Sequence, residues 1–156
     1  MYNSIYIEFL TQEINDEEKR EEFLNRIERE LKEQAGDDVA WDCRAMLTEA
    51  LGNAMDHGNL ELRVRTQEAR NERLKDLQYA RKKISVHYLI LEGCVSLTVY
   101  DEGNGFNHNK MFRKLRNGGV GVNEYKGMRI INYLADEFYF NEKGNALTMM
   151  KYFNNL

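Results

Sequence analysis

Apolar and polar positions along the chain alternate between two rhythms. Residues 2–9 alternate loosely and are rich in Ile and Tyr, which predicts a first strand. From about residue 16 to 34 the spacing turns helical. Phe23, Leu24, Ile27 and Leu31 form one stripe, and Glu, Arg and Lys fill the other faces. The break Ala35-Gly36-Asp37-Asp38 predicts Gly36 as a helix stop and an Asp as the next N-cap. A second helix is expected over about 39–57, with Val39, Cys43, Met46, Leu47, Ala50 and Ala54 as its stripe and Gly58-Asn59 as its end.

Residues 66–83 are charge-dense, with Leu74, Leu77 and Ala80 at helical spacing. A partly exposed helix and a solvated surface insertion fit that stretch equally. Residues 84–91 and 94–100 are β-rich runs joined by Glu92-Gly93, a hairpin signal. Asp101-Glu102-Gly103-Asn104-Gly105-Phe106 is a glycine loop directly after a strand. Residues 108–125 hold Gly118, Gly119 and Gly121, which argues against regular structure there. A helix over about 127–135 follows, then strands over 137–141 and 146–153 joined by Glu142-Lys143-Gly144-Asn145. No repeat and no linker interrupt the pattern. It predicts a single α+β domain over 1–156 with a charged helical insertion near 60–83. The strands are expected to pair mostly antiparallel against helices on one face.

Composition narrows the function classes. The 156 residues carry 22 Lys plus Arg and 26 Asp plus Glu, a net charge of −4, with no sustained basic run. This argues against direct nucleic-acid binding, which needs clustered cations. No apolar stretch nears the roughly 18 residues of a membrane span. The N-terminus shows no basic leader before an apolar run, so a cytoplasmic domain is expected. Proline is absent, which excludes a Pro-rich segment. Cys43 and Cys94 have no metal-ligand spacing and read as inert thiols. His87 and His108 likewise show no ligand spacing, and His57 reads as a structural cap near Gly58. Tyr133, Phe138, Tyr139, Phe140, Tyr152 and Phe153 read as core and sheet surface rather than a base-stacking platform.

Three constellations could carry chemistry. Glu49, Asn53 and His57 are spaced four apart, so they stack along one helix face with about 40° of drift per step. A lone Glu–Asn pair is usually a solvated flank. Here Ala50, Gly52 and Ala54 leave space beside the polar row, and Gly52 costs about 1 kcal/mol against Ala in a helix interior. Asp101 with Gly103 and Gly105 places a carboxylate at a strand end beside backbone that can approach a ligand. Alone, this pattern reads as a plain turn. The glycines of 117–127, just before a helix, could present N–H groups to phosphate.

In order, these segments resemble the GHKL ATPase superfamily. Thr48-Glu49-Ala50-Leu51-Gly52-Asn53-Ala54-Met55-Asp56-His57-Gly58-Asn59 resembles its N box, and Asp101 to Phe106 its first glycine box. Lys126-Gly127-Met128-Arg129-Ile130-Ile131 with Leu134-Ala135-Asp136-Glu137 resembles the second glycine box, and residues 144–151 the last hairpin. The His-Gly-Asn and Ala-Asp-Glu runs are most similar to the anti-sigma-factor serine kinase branch. The resemblance implies a Bergerat-type two-layer sandwich with a mixed, mainly antiparallel sheet, binding ATP and Mg²⁺. It implies Asn53 as the Mg²⁺ ligand, Glu49 as the general base, and Asp101 on the adenine amino group. Gly103 and Gly105 belong to the loop approaching the base, and Thr148 would support the adenine end. The second glycine box departs from Gly-x-Gly, because Tyr125 stands at its first position and only Gly127 matches. Two expectations then stand: Gly119 and Gly121, with Gly118, act as a shifted phosphate lid, or the lid is degenerate.

The function this implies is serine/threonine protein kinase activity toward an anti-sigma antagonist, with a sigma factor as second partner and homodimerisation left open. The competing expectation is a non-catalytic interaction module, its pocket nucleotide-binding or degenerate, that regulates a partner by binding alone, which Tyr125 favours. An ATPase module once joined to a larger sensor ranks below both.

Overall fold

The computed structural model describes residues 3–117 and 125–154. Five strands form one sheet: β1 (Asn3–Leu10), β2 (Lys83–Leu91), β3 (Cys94–Asp101), β4 (Glu137–Phe140) and β5 (Ala146–Tyr152), in the order β1-β2-β3-β5-β4. All four pairings are antiparallel, so the expected mixed sheet is antiparallel throughout its described strands. Hairpin connections suffice for β2–β3 and β4–β5, with Gly93 at φ +77° and Gly144 at φ +83° in the turns. Alternation sets the faces. Ile84, Val86, Tyr88 and Ile90 of β2 and Val95, Leu97 and Val99 of β3 are buried toward one side.

That side is covered by helices α2 (Glu17–Ala35), α3 (Asp37–Asn53) and α7 (Lys126–Leu134). The apolar stripes close the core: Phe23, Leu24, Ile27 and Leu31 from α2, Cys43, Met46, Leu47 and Leu51 from α3, and Met128 and Ile131 from α7. Arg44 ties α3 to α2 through Glu28 at 2.9 Å and through Glu21 and Asn25. No helix among the described residues is long and apolar enough to cross a membrane.

Several local expectations are corrected. A short helix, α1 (Thr11–Asn15), follows β1 directly. Asp16 caps α2 by accepting from the Lys19 N–H, but no Asp caps α3. Gly36, at φ +92°, both ends α2 and begins α3, leaving Asp37 and Asp38 in the first turn beside the positive helix end. The N-box helix is α-helical only to Asn53 and then widens into a π-helical turn over Ala54–Asn59. The charged stretch is two helices, α4 (Gln67–Leu74) and α5 (Leu77–Ala80), capped by Thr66 and Asp76. Residues 108–117 are regular after all: α6 (His108–Asn117) starts where Asn107 Oδ1 accepts the Lys110 N–H at 3.0 Å. The glycines that argued against it all follow residue 117.

Candidate functional site

The C-terminal end of α3, the loop after β3, the start of α7 and the β4–β5 hairpin enclose a cavity of about 560 Å³. This is within the size of small-molecule sites. Asp101, at the end of β3, lines it. Its Oδ1 accepts the Gly103 N–H at 2.8 Å, while Oδ2 takes no hydrogen bond among the described residues. Burial pushes the Asp101 carboxyl up to about 6, against the lowering effects of that hydrogen bond and of Lys143 and Lys82. The main chain of Asp101 is pinned from both sides by Asn145, whose carbonyl accepts the Asp101 N–H and whose Nδ2 donates to the Asp101 carbonyl.

The glycines around Asp101 interlock the walls. A β-carbon on Gly58 would sit 2.5 Å from the Asp101 carboxyl carbon, and one on Gly103 would sit 2.4 Å from the Gly58 carbonyl oxygen. One on Gly105, at φ +80°, would fall 1.8 Å from the Lys143 carbonyl oxygen. Gly105 lines the cavity but Gly103 does not. Both are therefore required by close packing within the chain, whatever the ligand. Buried Asn59, to which the sequence assigned no role, ties these walls together. Its Nδ2 donates to Thr11 Oγ1 and the Lys83 carbonyl, and its Oδ1 accepts the Glu102 N–H at 2.7 Å.

Glu49, Asn53 and His57 share one face of the N-box helix, as their spacing predicts. Asn53 and His57 line the cavity, whereas half-buried Glu49 stands just behind the lining. Gly127 brings α7 onto this row: a β-carbon there would lie 2.8 Å from Glu49 Oε2 and 3.4 Å from Asn53 Nδ2. The positive end of α7 thus faces a carboxylate and an amide together. Tyr125, preceding α7, has φ +52° and ψ +34°. This is the left-handed conformation that glycine adopts freely and that costs other residues about 1–2 kcal/mol. Tyr125 keeps a glycine-like backbone while adding a ring to the cavity wall. His57 does not cap the turn, which closes through the Leu60 N–H onto the Met55 carbonyl. Burial lowers the His57 pKa, and Arg65 lowers it further, with Asp56 opposing.

Thr148 lies elsewhere. Leu147 and Met149 face the helices, so Thr148 between them faces the opposite side of the sheet, where its hydroxyl is 2.9 Å from that of Thr98. It does not line the cavity. Gly118, Gly119 and Gly121 lie outside the described residues. Of the aromatic set, Tyr133, Tyr139 and Tyr152 are exposed and Phe138 and Phe153 pack on the core. Phe140 packs on the core too, but also lines the cavity, edge-on to Phe106 at 4.9 Å.

An ion cluster at the cavity rim has no periodic signature in the sequence. Asp56, wholly buried, accepts from Arg65 Nε at 2.8 Å and from Arg70 Nε and Nη2 at 2.7 and 2.8 Å. Burial pushes the Asp56 carboxyl up, but the hydrogen bonds and charges of Arg70 and Arg65 outweigh it and hold the pKa below the usual carboxylate value. Only the nine- and fourteen-residue separations mark these partners in the sequence.

A cation at Asn53 fits the residues present. Among the described residues no group of three or more His, Cys, Asp or Glu could hold a metal unaided. Mg²⁺ accepts one neutral amide oxygen readily when phosphate and water supply its remaining ligands. The donor set therefore suits a metal carried by a nucleotide.

The family model described as Histidine kinase-like ATPase domain matches residues 15–151. No curated protein matches the chain. The matched span takes in the N-box helix, the glycine loop, the start of α7 and nearly all of β5, and the chain belongs to the histidine kinase-like ATPase domain family.

Proposed function

We propose that this cavity binds ATP with Mg²⁺ and that the protein is a serine/threonine protein kinase of the anti-sigma type, regulating transcription through a sigma factor and its antagonist. The convergence of Glu49 and Asn53 on Gly127, at the start of α7, carries the reading. Asp101 stands more than a helical turn further along, against Gly58, and its Oδ2, which takes no hydrogen bond among the described residues, would accept from the adenine amino group. Asn53 would offer its amide oxygen to Mg²⁺. The metal, when bound, would neutralise charge on the phosphate chain. Glu49 would take the hydroxyl proton of the acceptor serine as the Oγ–phosphorus bond forms and the bond from the γ-phosphorus to the bridging oxygen breaks, releasing ADP. The N-terminus of α7 would hold the phosphate chain in place.

A second reading, a non-catalytic module that regulates a partner by binding alone, is favoured by the Tyr125 ring on the cavity wall. Titration of a fluorescent ATP analogue with and without Mg²⁺ separates the two. Saturable, Mg²⁺-dependent binding supports the kinase reading, and no binding in either condition supports the module. In a transfer assay with the antagonist, Glu49→Gln should leave nucleotide affinity nearly unchanged and slow transfer by about 10²- to 10⁴-fold.

A further inference from the structure

Arg65 lies in the segment joining the π-helical turn to α4, outside the N box and both glycine boxes. It lines the cavity beside Asn53 and His57. Arg70 alone engages both oxygens of Asp56, so the carboxylate is already matched by one guanidinium. Arg65 adds a second guanidinium through its Nε. One carboxylate and two guanidiniums leave one surplus positive charge at the cavity rim. Neither Nη group of Arg65 takes a hydrogen bond among the described residues, and Nη2 lies where a β-carbon on Gly52 would meet it at 3.5 Å. The guanidinium is held by one edge, and its other edge reaches the N-box helix at Gly52, the residue before Asn53.

We propose that Arg65 is an anion-binding residue that contacts the phosphate chain of a nucleotide in this cavity, with Asp56 and Arg70 as its positioning residues. The proposal rests on the nucleotide reading above. A guanidinium presents paired N–H groups that match phosphate oxygens, and anchoring by a buried carboxylate removes much of the ordering cost of binding. The charged segment near 60–83 thereby gains a role: it delivers a cation to the site and locks it there through Asp56.

The test compares adenosine, ADP, ATP and tripolyphosphate by calorimetry, in Mg²⁺ and in EDTA, on the whole chain and on Arg65→Met. Arg65→Met should weaken ADP and ATP by about 10- to 100-fold, the range of a charge-assisted hydrogen bond, and change adenosine by less than about twofold. The loss should persist in EDTA, because the contact is direct. Tripolyphosphate binding by wild type that vanishes in Arg65→Met would show that the phosphate chain alone is recognised. Equal weakening of adenosine and ATP, or no weakening of either, overturns the assignment. Wild-type protein that binds neither adenosine nor ATP overturns the nucleotide reading itself, and this proposal with it. If Arg65→Met does not fold, Arg65→Lys keeps the charge but loses the fork. It should show a smaller loss, again confined to the phosphorylated ligands, and an equal loss for adenosine overturns the assignment.

Discussion

Glu49 and Gly127 are in contact across two helices: a β-carbon at position 127 would lie 2.8 Å from Glu49 Oε2. The close approach seats the start of α7 on the N-box row. It also makes position 127 a handle on Glu49. In Gly127→Ala the new methyl would displace a flexible carboxylate rather than backbone. Alanine gains about 1 kcal/mol of helix propensity, which offsets an overpacking cost of similar size. Thermal unfolding should therefore stay near wild type, while ATP affinity falls as Glu49 and Asn53 shift. A normal ATP titration for Gly127→Ala would contradict the close-packed site.

Gly105 and Gly36 both have positive φ, but only Gly105 is also crowded, its β-carbon position being 1.8 Å from the Lys143 carbonyl oxygen. Around a β-carbon at Gly36 nothing beyond its chain neighbours lies within 4 Å among the described residues. Gly36→Ala should cost about 1 kcal/mol, the backbone penalty alone. Gly105→Ala should cost about 3 kcal/mol or more, because the β4–β5 hairpin must move away from the glycine loop. Urea denaturation of the two variants distinguishes these magnitudes, and equal losses would show that the packing at Gly105 has been misassigned.

Asp101 links binding to pH. Its carboxyl titrates near 6 in the folded protein against 3.8 as the ordinary value, so the folded state binds more protons between those limits. Stability of the ligand-free protein from this group should fall as pH rises from about 4 to about 6. Adenosine affinity should move the other way, rising as the carboxylate forms and accepts from the 6-amino group. Calorimetric titration across pH 5–8 checks this. A flat adenosine profile, or equal affinity for ATP and GTP, would remove Asp101 from the base-recognition role.

Asp56 behaves oppositely, because its folded pKa lies below the ordinary value. Its contribution is present above pH 4 and is lost as pH falls through that lowered pKa. Arg70→Met leaves Asp56 buried with Arg65 alone. It should cost about 2–3 kcal/mol, less than the 3–5 typical of an uncompensated buried charge. Chemical denaturation at pH 7 measures the cost, and repeating it below pH 4 should shrink the difference between variant and wild type. A difference that stays constant with pH would detach the effect from Asp56.

The parts of this site that repeat with a period were legible in the sequence. Glu49, Asn53 and His57 fall on one helical face, and Asp101 follows directly from the alternation of β3. Period-2 parity also holds the reason Thr148 is out of place: Leu147 and Met149 are core residues, so the position between them faces away. The Asp56–Arg65–Arg70 cluster was not legible, because irregular backbone between residues 60 and 66 sets which arginine returns to the π-helical turn. The π-helical turn itself has no periodic signature in six residues. Helix α6 is obscured because Gly118, Gly119 and Gly121 follow its helical segment directly in the sequence.

The most direct test is the affinity of wild type and Asn53→Ala for ATP, each measured with Mg²⁺ and with EDTA. Asn53 lies at the cavity edge, half-buried and outside the apolar core, so the variant should fold and melt near wild type. Wild-type affinity should rise when Mg²⁺ is added, and Asn53→Ala should lose that increment while binding ATP in EDTA about as wild type does. Wild-type and Asn53→Ala proteins with the same Mg²⁺-dependent affinity would contradict the metal role of Asn53, and with it the arrangement of phosphate, metal and base on which the kinase reading stands.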